Sequence, residues 1–167
     1  RPLRAWDDVR PPTWQYGFSD WCDWRTFAAE SICAHVRRRA EVIRAHSGVP
    51  VMAHAWGGGT VLCPDLGAMA FDDWKQAEVV DVWGCSGFPR TLPEVVSLGL
   101  SLDSTRSAAA GRPFWQAELG AGDLGSGLDR AGRVPPEWLA LWSWESVRHG
   151  VKGLLYWQFR KERQGSE

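Results

Sequence analysis

The segment RPFWQAELGAG, residues 112–122, combines an apolar run with one carboxylate and a glycine-rich end. The run predicts a buried strand over residues 113–118 that ends at Glu118. In α/β folds with parallel strands, ligands and catalytic groups collect at the carboxyl ends of the strands. Glu118 is therefore a candidate catalytic residue. From this context alone, a solvated loop carboxylate is an equally good interpretation.

Length and composition indicate one globular domain. The chain has 167 residues, of which 44% are hydrophobic and 23% are charged, a balance that favours a folded core over disorder. The net charge of −1 gives no electrostatic footprint for nucleic acid, and no apolar stretch approaches the roughly 20 residues that span a bilayer. We expect no nucleic-acid or membrane partner and a cytoplasmic location. The chain starts at Arg1 without an initiator methionine, which is typical of a piece of a longer protein.

The cysteines and tryptophans give contrasting signals. The four cysteines show no Cys-x-x-Cys spacing, so we expect buried free thiols and neither a zinc site nor a disulfide framework. The twelve tryptophans are unusual, because an indole can stack on the C–H face of a pyranose. Most of them are expected in the core or on apolar helical faces. Three lie at or near predicted strand ends and are candidates for sugar stacking: Trp56, Trp83 and Trp157.

Predicted helices and strands alternate along the chain. Helices are predicted over residues 20–46, 69–78, 93–110 and 137–149, and strands near residues 50–55, 79–83, 113–118 and 153–159. This cadence predicts right-handed βαβ units and a parallel sheet with helices outside. A (β/α)8 barrel needs about 250 residues, so the chain is long enough for about half of one. A complete doubly wound sheet is the alternative, although no dinucleotide or P-loop motif follows any strand.

Three further residues have competing interpretations. His54, on the first predicted strand, is either a pocket or a core residue, and the spacing of a histidine metal site is absent. Ser86 lies in Gly-Cys-Ser-Gly within a predicted turn over residues 84–89; this fails the nucleophile-elbow pattern and favours a turn serine. Arg160, at the end of the last strand, could hold a carboxylate by a bidentate contact, with a surface ion pair as the alternative. We expect no metal and no cofactor.

Three motifs, in this order and spacing, resemble glycoside hydrolase family 42. They are PFWQAE at residues 113–118, a helix over residues 137–150 that ends in His149-Gly150, and GLLYWQFRKERQGSE at residues 153–167. These family members are retaining β-galactosidases built on (β/α)8 barrels. The resemblance runs from about Trp21 to the end of the chain. It implies that residues 1–167 are the C-terminal half of the catalytic barrel, with strands five to eight and the preceding helix.

The resemblance also implies roles for individual residues. Glu118 matches the nucleophile at the end of strand seven, in agreement with its position at a strand end. Glu167 matches a carboxylate that hydrogen-bonds sugar hydroxyls. Phe88 stands where the family usually has a tyrosine near the nucleophile. On strand eight, Trp157 and Phe159 stand where phenylalanine and tryptophan are more usual.

The implied function is hydrolysis of terminal β-galactosides by double displacement, which needs two carboxyl groups about 5–5.5 Å apart. In the family the acid/base glutamate follows an asparagine, and this chain contains no asparagine. We therefore expect that residue upstream of Arg1 and expect the isolated chain to be inactive. Asp65, Glu94 and Asp123 are possible substitutes that are better explained as turn or cap residues.

Two other functions fit the same residues. One is a related β-glycosidase that acts on mannosides or glucosides, because the nucleophile strand does not fix the sugar. The other is a carbohydrate-binding or structural barrel segment without chemistry. The resemblance to glycoside hydrolase family 42 implies a β-galactoside or a related carbohydrate as the ligand. It also implies that the full-length protein is a homo-oligomer, a trimer.

Overall fold

The computed structural model describes residues 5, 8–9, 17–56, 72–121 and 134–158. Within these residues, helices and strands alternate as predicted. The helices are α1 (Phe18–His46), α2 (Asp73–Ala77), α3 (Val95–Ala109) and α4 (Pro136–Arg148). The strands are β1 (Met52–Trp56), β2 (Val82–Gly87), β3 (Phe114–Gly120) and β4 (Gly153–Trp157). A short 3-10 turn, Leu92–Glu94, leads into α3.

The four strands form one parallel sheet in the order β1-β2-β3-β4. Because each strand lies beside its sequence neighbour, right-handed crossovers all step in one direction and place α2, α3 and α4 on one face of the sheet. This is the arrangement of part of a (β/α)8 barrel, whose interior is the opposite face. A doubly wound sheet would reverse direction at a switch point and carry helices on both faces. The predicted partial barrel is thus confirmed.

The hydrophobic core lies between the sheet and its helices. Trp83 from β2, Leu102 from α3 and Trp142 from α4 are almost fully buried. The middle helix, α3, contacts β2 and both neighbouring helices. Gly99 allows the close approach of α4, because a Cβ at this position would lie 3.1 Å from Nε2 of His149. The glycine that weakens α3 as an isolated helix therefore serves its packing.

Helix α1 extends over 29 residues and packs through small side chains. It begins after Gly17, whose φ of 121° suits glycine, and it ends before Ser47. Its buried residues are Ala29, Cys33 and Ala40. The basic run Arg37, Arg38 and Arg39 is exposed, as expected for a solvated face. Among the described helices, none is both long enough and apolar enough to cross a membrane.

An exposed carboxylate joins α1 to the amino ends of β1 and β2. Asp81 accepts a hydrogen bond from the backbone N–H of Val51 at 2.8 Å and one from the Arg44 guanidinium at 2.9 Å. The backbone hydrogen bond, with a smaller contribution from Arg44, lowers the pKa of Asp81 below its usual value. The starting points of the two strands are thereby fixed relative to each other.

The extent of β2 corrects the sequence prediction. The sequence predicts a strand that ends at Trp83 and a turn over residues 84–89, whereas β2 runs from Val82 to Gly87. Val79 and Val80, the apolar residues behind the prediction, are buried in the connection from α2. Gly84, taken as a turn signal, instead makes room inside the sheet, because a Cβ there would lie 3.0 Å from the Cβ of Ala117.

Candidate active site

The carboxyl ends of β1, β2 and β3 bring three polar side chains together. His54 pairs with Gly84 across the β1–β2 ladder, and Ser86 pairs with Glu118 across the β2–β3 ladder. Residues two apart on a strand share a face, so Ser86 lies on the same face as Gly84 and its partner His54. Three separate segments of the chain thus converge at one edge of the sheet.

A β-bulge turns Glu118 toward that face. Cys85 pairs with Gln116, and the next pair is Ser86 with Glu118, so Ala117 is an extra residue in β3. Because successive strand residues alternate between faces, Glu118 in a regular ladder would point at the helices. The Gln116 side chain donates from Nε2 to the backbone oxygen of Glu118 at 2.7 Å, which holds the bulge. Bulges commonly re-aim a side chain in this way next to active sites.

The Ser86 hydroxyl connects the other two side chains. It donates to Oε2 of Glu118 at 3.2 Å and lies 3.0 Å from Nδ1 of His54. Nε2 of His54 is 3.7 Å from Oε1 of Glu118, too far for a hydrogen bond. The Glu118 side chain is 27% exposed, whereas Ser86 is 3% exposed. A ligand can therefore reach the carboxylate but not the serine.

These contacts decide between the interpretations of His54 and Ser86. Ser86 is a buried strand residue with two polar partners, so its prediction as a turn serine is wrong. His54 keeps 33% of its side chain exposed and lies at the same end of the sheet as Glu118, which argues against the core interpretation. The three residues are far apart in the sequence, and each lies toward the carboxyl end of a different parallel strand. Only the register between these strands shows that their side chains meet.

Two of the predicted sugar-binding residues lie beside the end of β3. Trp157 pairs with Gly120, two residues after Glu118, and its carbonyl accepts a hydrogen bond from Ala121 at 2.7 Å. Phe88 packs against the same glycine, because a Cβ at Gly120 would lie 2.8 Å from the Phe88 ring. Trp157 is 36% exposed. Both aromatic residues therefore border the strand end that carries Glu118.

Trp83 is not available for stacking, which corrects its prediction. β2 begins at Val82, so Trp83 lies at the amino end of the strand, and its side chain is 2% exposed in the core. Cys85 shares this face, and burial raises the pKa of its thiol to about 11. Cys85 is thus a neutral, buried thiol at pH 7 and no candidate nucleophile.

The remaining predicted residues are placed only in part. The backbone of Trp56 ends β1 and pairs with Ser86. Arg160 and Glu167 lie outside the described residues, as do Asp65 and Asp123. Glu94 accepts hydrogen bonds from the backbone N–H of Arg90 and the hydroxyl of Thr91, so it acts as the cap that the sequence favours.

The described part of the chain offers no metal centre, since no three His, Cys, Asp or Glu side chains in it could hold an ion together. What the cluster provides is one accessible carboxylate, oriented by hydrogen bonds and bordered by aromatic side chains. That chemistry suits attack on an electrophilic carbon or hydrogen bonding to a polyhydroxylated ligand.

Comparisons with known proteins agree with this arrangement. The family model of glycoside hydrolase family 42, described as beta-galactosidase, matches residues 2–167. Beta-galactosidase BgaB of Geobacillus sp. (strain Y412MC61) is 25% identical over 167 residues, covering 97% of this chain and 23% of the relative. Beta-galactosidase BgaH of Haloferax lucentense is 26% identical over 150 residues, covering 84% and 22%. The chain thus spans about a quarter of the length of these relatives.

Solved structures support the fold. The beta-galactosidase from Bacillus circulans sp. alkalophilus superposes with a TM-score of 0.78 at 21% identity, over 99% of this chain and 24% of that one. An active-site mutant of Rhizomucor miehei beta-1,3-glucanosyltransferase, in complex with laminaritriose, gives a TM-score of 0.51 at 14% identity and covers 77% of this chain. Because the family model matches nearly every residue, the chain belongs to glycoside hydrolase family 42, the beta-galactosidase family.

Proposed function

We propose that this chain supplies the nucleophile half of a retaining β-galactosidase, with Glu118 as the nucleophile. The observation that carries the proposal is the bulge in β3, which turns Glu118 out of the core and onto the open face at the carboxyl edge of the sheet. Membership of the beta-galactosidase family supports the same assignment. In this proposal, β1 to β4 are strands five to eight of the complete barrel.

The reaction proceeds in two displacements. The Glu118 carboxylate attacks the anomeric carbon while the bond from that carbon to the leaving oxygen breaks, and an acid/base carboxyl group protonates that oxygen. The same group then removes a proton from water, which attacks the anomeric carbon and releases Glu118 as a carboxylate. Two inversions give net retention.

The acid/base residue comes from another part of the complete protein. The chain contains no asparagine and therefore no Asn-Glu pair of the kind its family uses. Glu94 is the described candidate substitute, but its oxygens are taken by the backbone N–H of Arg90 and the hydroxyl of Thr91. Accordingly, we expect the isolated 167-residue chain to be inactive.

The proposed substrate is a terminal β-galactoside. Trp157 and Phe88 border the Glu118 strand end and offer aromatic faces to the C–H side of a pyranose. The relatives named above are all beta-galactosidases. A preference for β-glucosides or β-mannosides would keep the same nucleophile and change only the sugar contacts.

The test is chemical rescue in the complete protein that contains this chain. Glu118→Gly removes the attacking oxygens, so hydrolysis of an aryl β-galactoside should be abolished. Added azide can enter the vacated space and attack from the same side as the lost carboxylate. The expected product is the α-galactosyl azide, identified by NMR.

Glu94→Gly is the matched control, because it removes a carboxylate that the structure assigns to capping. It should retain hydrolysis. A β-galactosyl azide from the Glu94 variant would instead make Glu94 the acid/base residue, since azide then replaces water in the second step. Full hydrolysis by Glu118→Gly without azide would overturn the assignment of the nucleophile.

A further inference from the structure

The hydroxyl of Ser86 lies between two functional groups from neighbouring strands. It is 3.2 Å from Oε2 of Glu118 and 3.0 Å from Nδ1 of His54. Ser86 itself is 3% exposed, so a sugar in the cleft cannot reach it. Any effect of Ser86 on a reaction must pass through the side chains that it contacts.

The number of available protons fixes the direction of these hydrogen bonds. An ionised carboxylate only accepts, so the single proton of Ser86 points to Oε2 of Glu118. The contact with His54 then requires a proton on Nδ1, donated to the serine oxygen. The Nδ1–H of His54 then completes a relay through the Ser86 hydroxyl to the carboxylate of Glu118.

We propose that Ser86 and His54 are positioning residues for Glu118, an inference that rests on the nucleophile role proposed above. The relay holds Oε2, and Oε1 remains the oxygen that attacks, because the nearest His54 nitrogen is 3.7 Å away. Holding one oxygen fixes the plane of the carboxylate and the direction from which the other approaches carbon.

The relay acts in both displacements. In the first it orients the carboxylate. In the glycosyl-enzyme, Oε2 becomes the carbonyl oxygen of the ester and still accepts the Ser86 proton. In the second displacement, negative charge returns to the Glu118 carboxylate as the bond between Oε1 and the anomeric carbon breaks. The hydrogen bond from Ser86 to Oε2 strengthens with that charge.

The glycine at position 84 makes this geometry available. A Cβ at Gly84 would lie 3.1 Å from the Cβ of His54 and 3.0 Å from that of Ala117. These distances are tight contacts, so the side chains of His54 and Ala117 can lie this close to β2 only because Gly84 carries no side chain. The His54 ring thereby lies beside Ser86, the next residue of β2 on the same face.

The experiment measures covalent trapping of the complete protein with an activated 2-deoxy-2-fluoro-β-galactoside. This probe forms the ester with the nucleophile and releases it slowly, so mass spectrometry reads the first displacement directly. Ser86→Ala should reduce the trapping rate at saturating probe by about 10- to 100-fold, the range for a lost hydrogen bond to a charged group. The probe concentration for half-maximal rate should change little, because Ser86 does not touch sugar.

Two substitutions at His54 separate the relay from packing. His54→Asn keeps an N–H donor near the position of Nδ1 and should retain most of the trapping rate. His54→Leu has similar bulk and no donor, so it should be slowed in the same direction as Ser86→Ala. Once Ser86 is alanine, adding His54→Leu should cause little further loss, since both changes break one relay. Ser104→Ala, a buried serine on α3, is the control and should trap at the parental rate.

Several outcomes overturn the inference. Parental trapping by Ser86→Ala would exclude a positioning role, and equal slowing of His54→Asn and His54→Leu would exclude the relay. If Ser86→Ala fails to fold, the two His54 variants still decide. Failure of the proposed function looks different: the parent protein itself would then remain unlabelled, or would carry the label at a residue other than Glu118.

Discussion

On the face of the sheet that the helices cover, β2 and β3 present Trp83, Cys85 and Leu119, each 2% exposed or less. On the opposite face, the same region presents Glu118 and the neighbouring His54, whose side chains are 27% and 33% exposed. Burial of apolar area stabilises the first face. Hydrogen bonds between polar groups arrange the second.

The difference between the faces depends on one residue. Side chains alternate along a strand, so a shift by a single position exchanges the two faces. The extra residue in β3, Ala117, makes this shift between Gln116 and Glu118. Gln116 remains fully buried against the helices, and Glu118 reaches the open face. A fully buried amide and an accessible carboxylate thus lie two residues apart on one strand without sharing a face.

Among the tests of this difference between the two faces, Trp83→Ala in the complete protein should have the largest effect. Truncation of a buried tryptophan should lower the free energy of unfolding by about 3–5 kcal/mol, measured by urea denaturation. The KM of the folded fraction for an aryl galactoside should not change, because the indole lies on the helix face. Trp83→Phe fills most of the space and removes an indole N–H that has no partner among the described residues, so it should be much less destabilising. A raised KM with unchanged stability would place Trp83 at the sugar.

Asp73 tests the helix side through pH. Burial, with the charge of Asp72 as a smaller cause, raises the pKa of Asp73 to about 6. The folded protein therefore binds this proton more tightly than the unfolded chain, and stability falls as the pH rises from about 4 to about 6. Asp73→Asn removes that loss, and the shift corresponds to a gain of up to about 3 kcal/mol at pH 7 and none below about pH 4.

Urea unfolding midpoints of the parent and of Asp73→Asn, measured at pH 7 and just below pH 4, test this effect. Asp23→Asn, at an exposed position on α1, is the control and should change neither midpoint. An Asp73→Asn variant that is equally stabilised at both pH values would show that the charge of Asp73 is not the cause.

The sequence predicts the parts of this molecule that depend on local patterns. Short apolar runs with glycine on at least one side locate all four strands, and apolar periodicity identifies α1. The order of elements then implies a partial barrel, because right-handed crossovers leave few alternatives. Glu118 follows from its place at a strand end. These inferences need no knowledge of which residues pair.

The missed features all depend on pairing between distant segments. The position of Trp83 within β2, the register of Ser86 and the bulge at Ala117 are set by neighbouring strands, and a local pattern cannot fix them. Gly84 shows the problem clearly. Glycine is typical of turns, yet here it leaves room for the side chains of His54 and Ala117 on the two neighbouring strands, and these residues are some 30 positions away in each direction.

Gly84→Ala tests the open face with a smaller change. The added methyl group meets the Cβ atoms of His54 and Ala117 at 3.1 and 3.0 Å, and overpacking of this kind costs about 2 kcal/mol. The displacement of His54 should slow hydrolysis, measured as a lower kcat. Gly99→Ala adds a methyl group 3.1 Å from His149 on the helix side, so it should leave kcat unchanged. Equal kcat losses in both variants would mean that the two faces are coupled.

The smallest expected effect concerns the aromatic border of the site. Trp157 is 36% exposed beside the Glu118 strand end, and stacking on a sugar contributes on the order of 1 kcal/mol. Trp157→Ala should therefore raise the KM for aryl galactosides by about fivefold and leave the unfolding midpoint nearly unchanged. Trp144→Ala is the matched control, since this indole on α4 is 71% exposed and belongs to the helix layer. If Trp144→Ala raised the KM as much as Trp157→Ala, the position of an indole relative to Glu118 would not determine its contribution to binding.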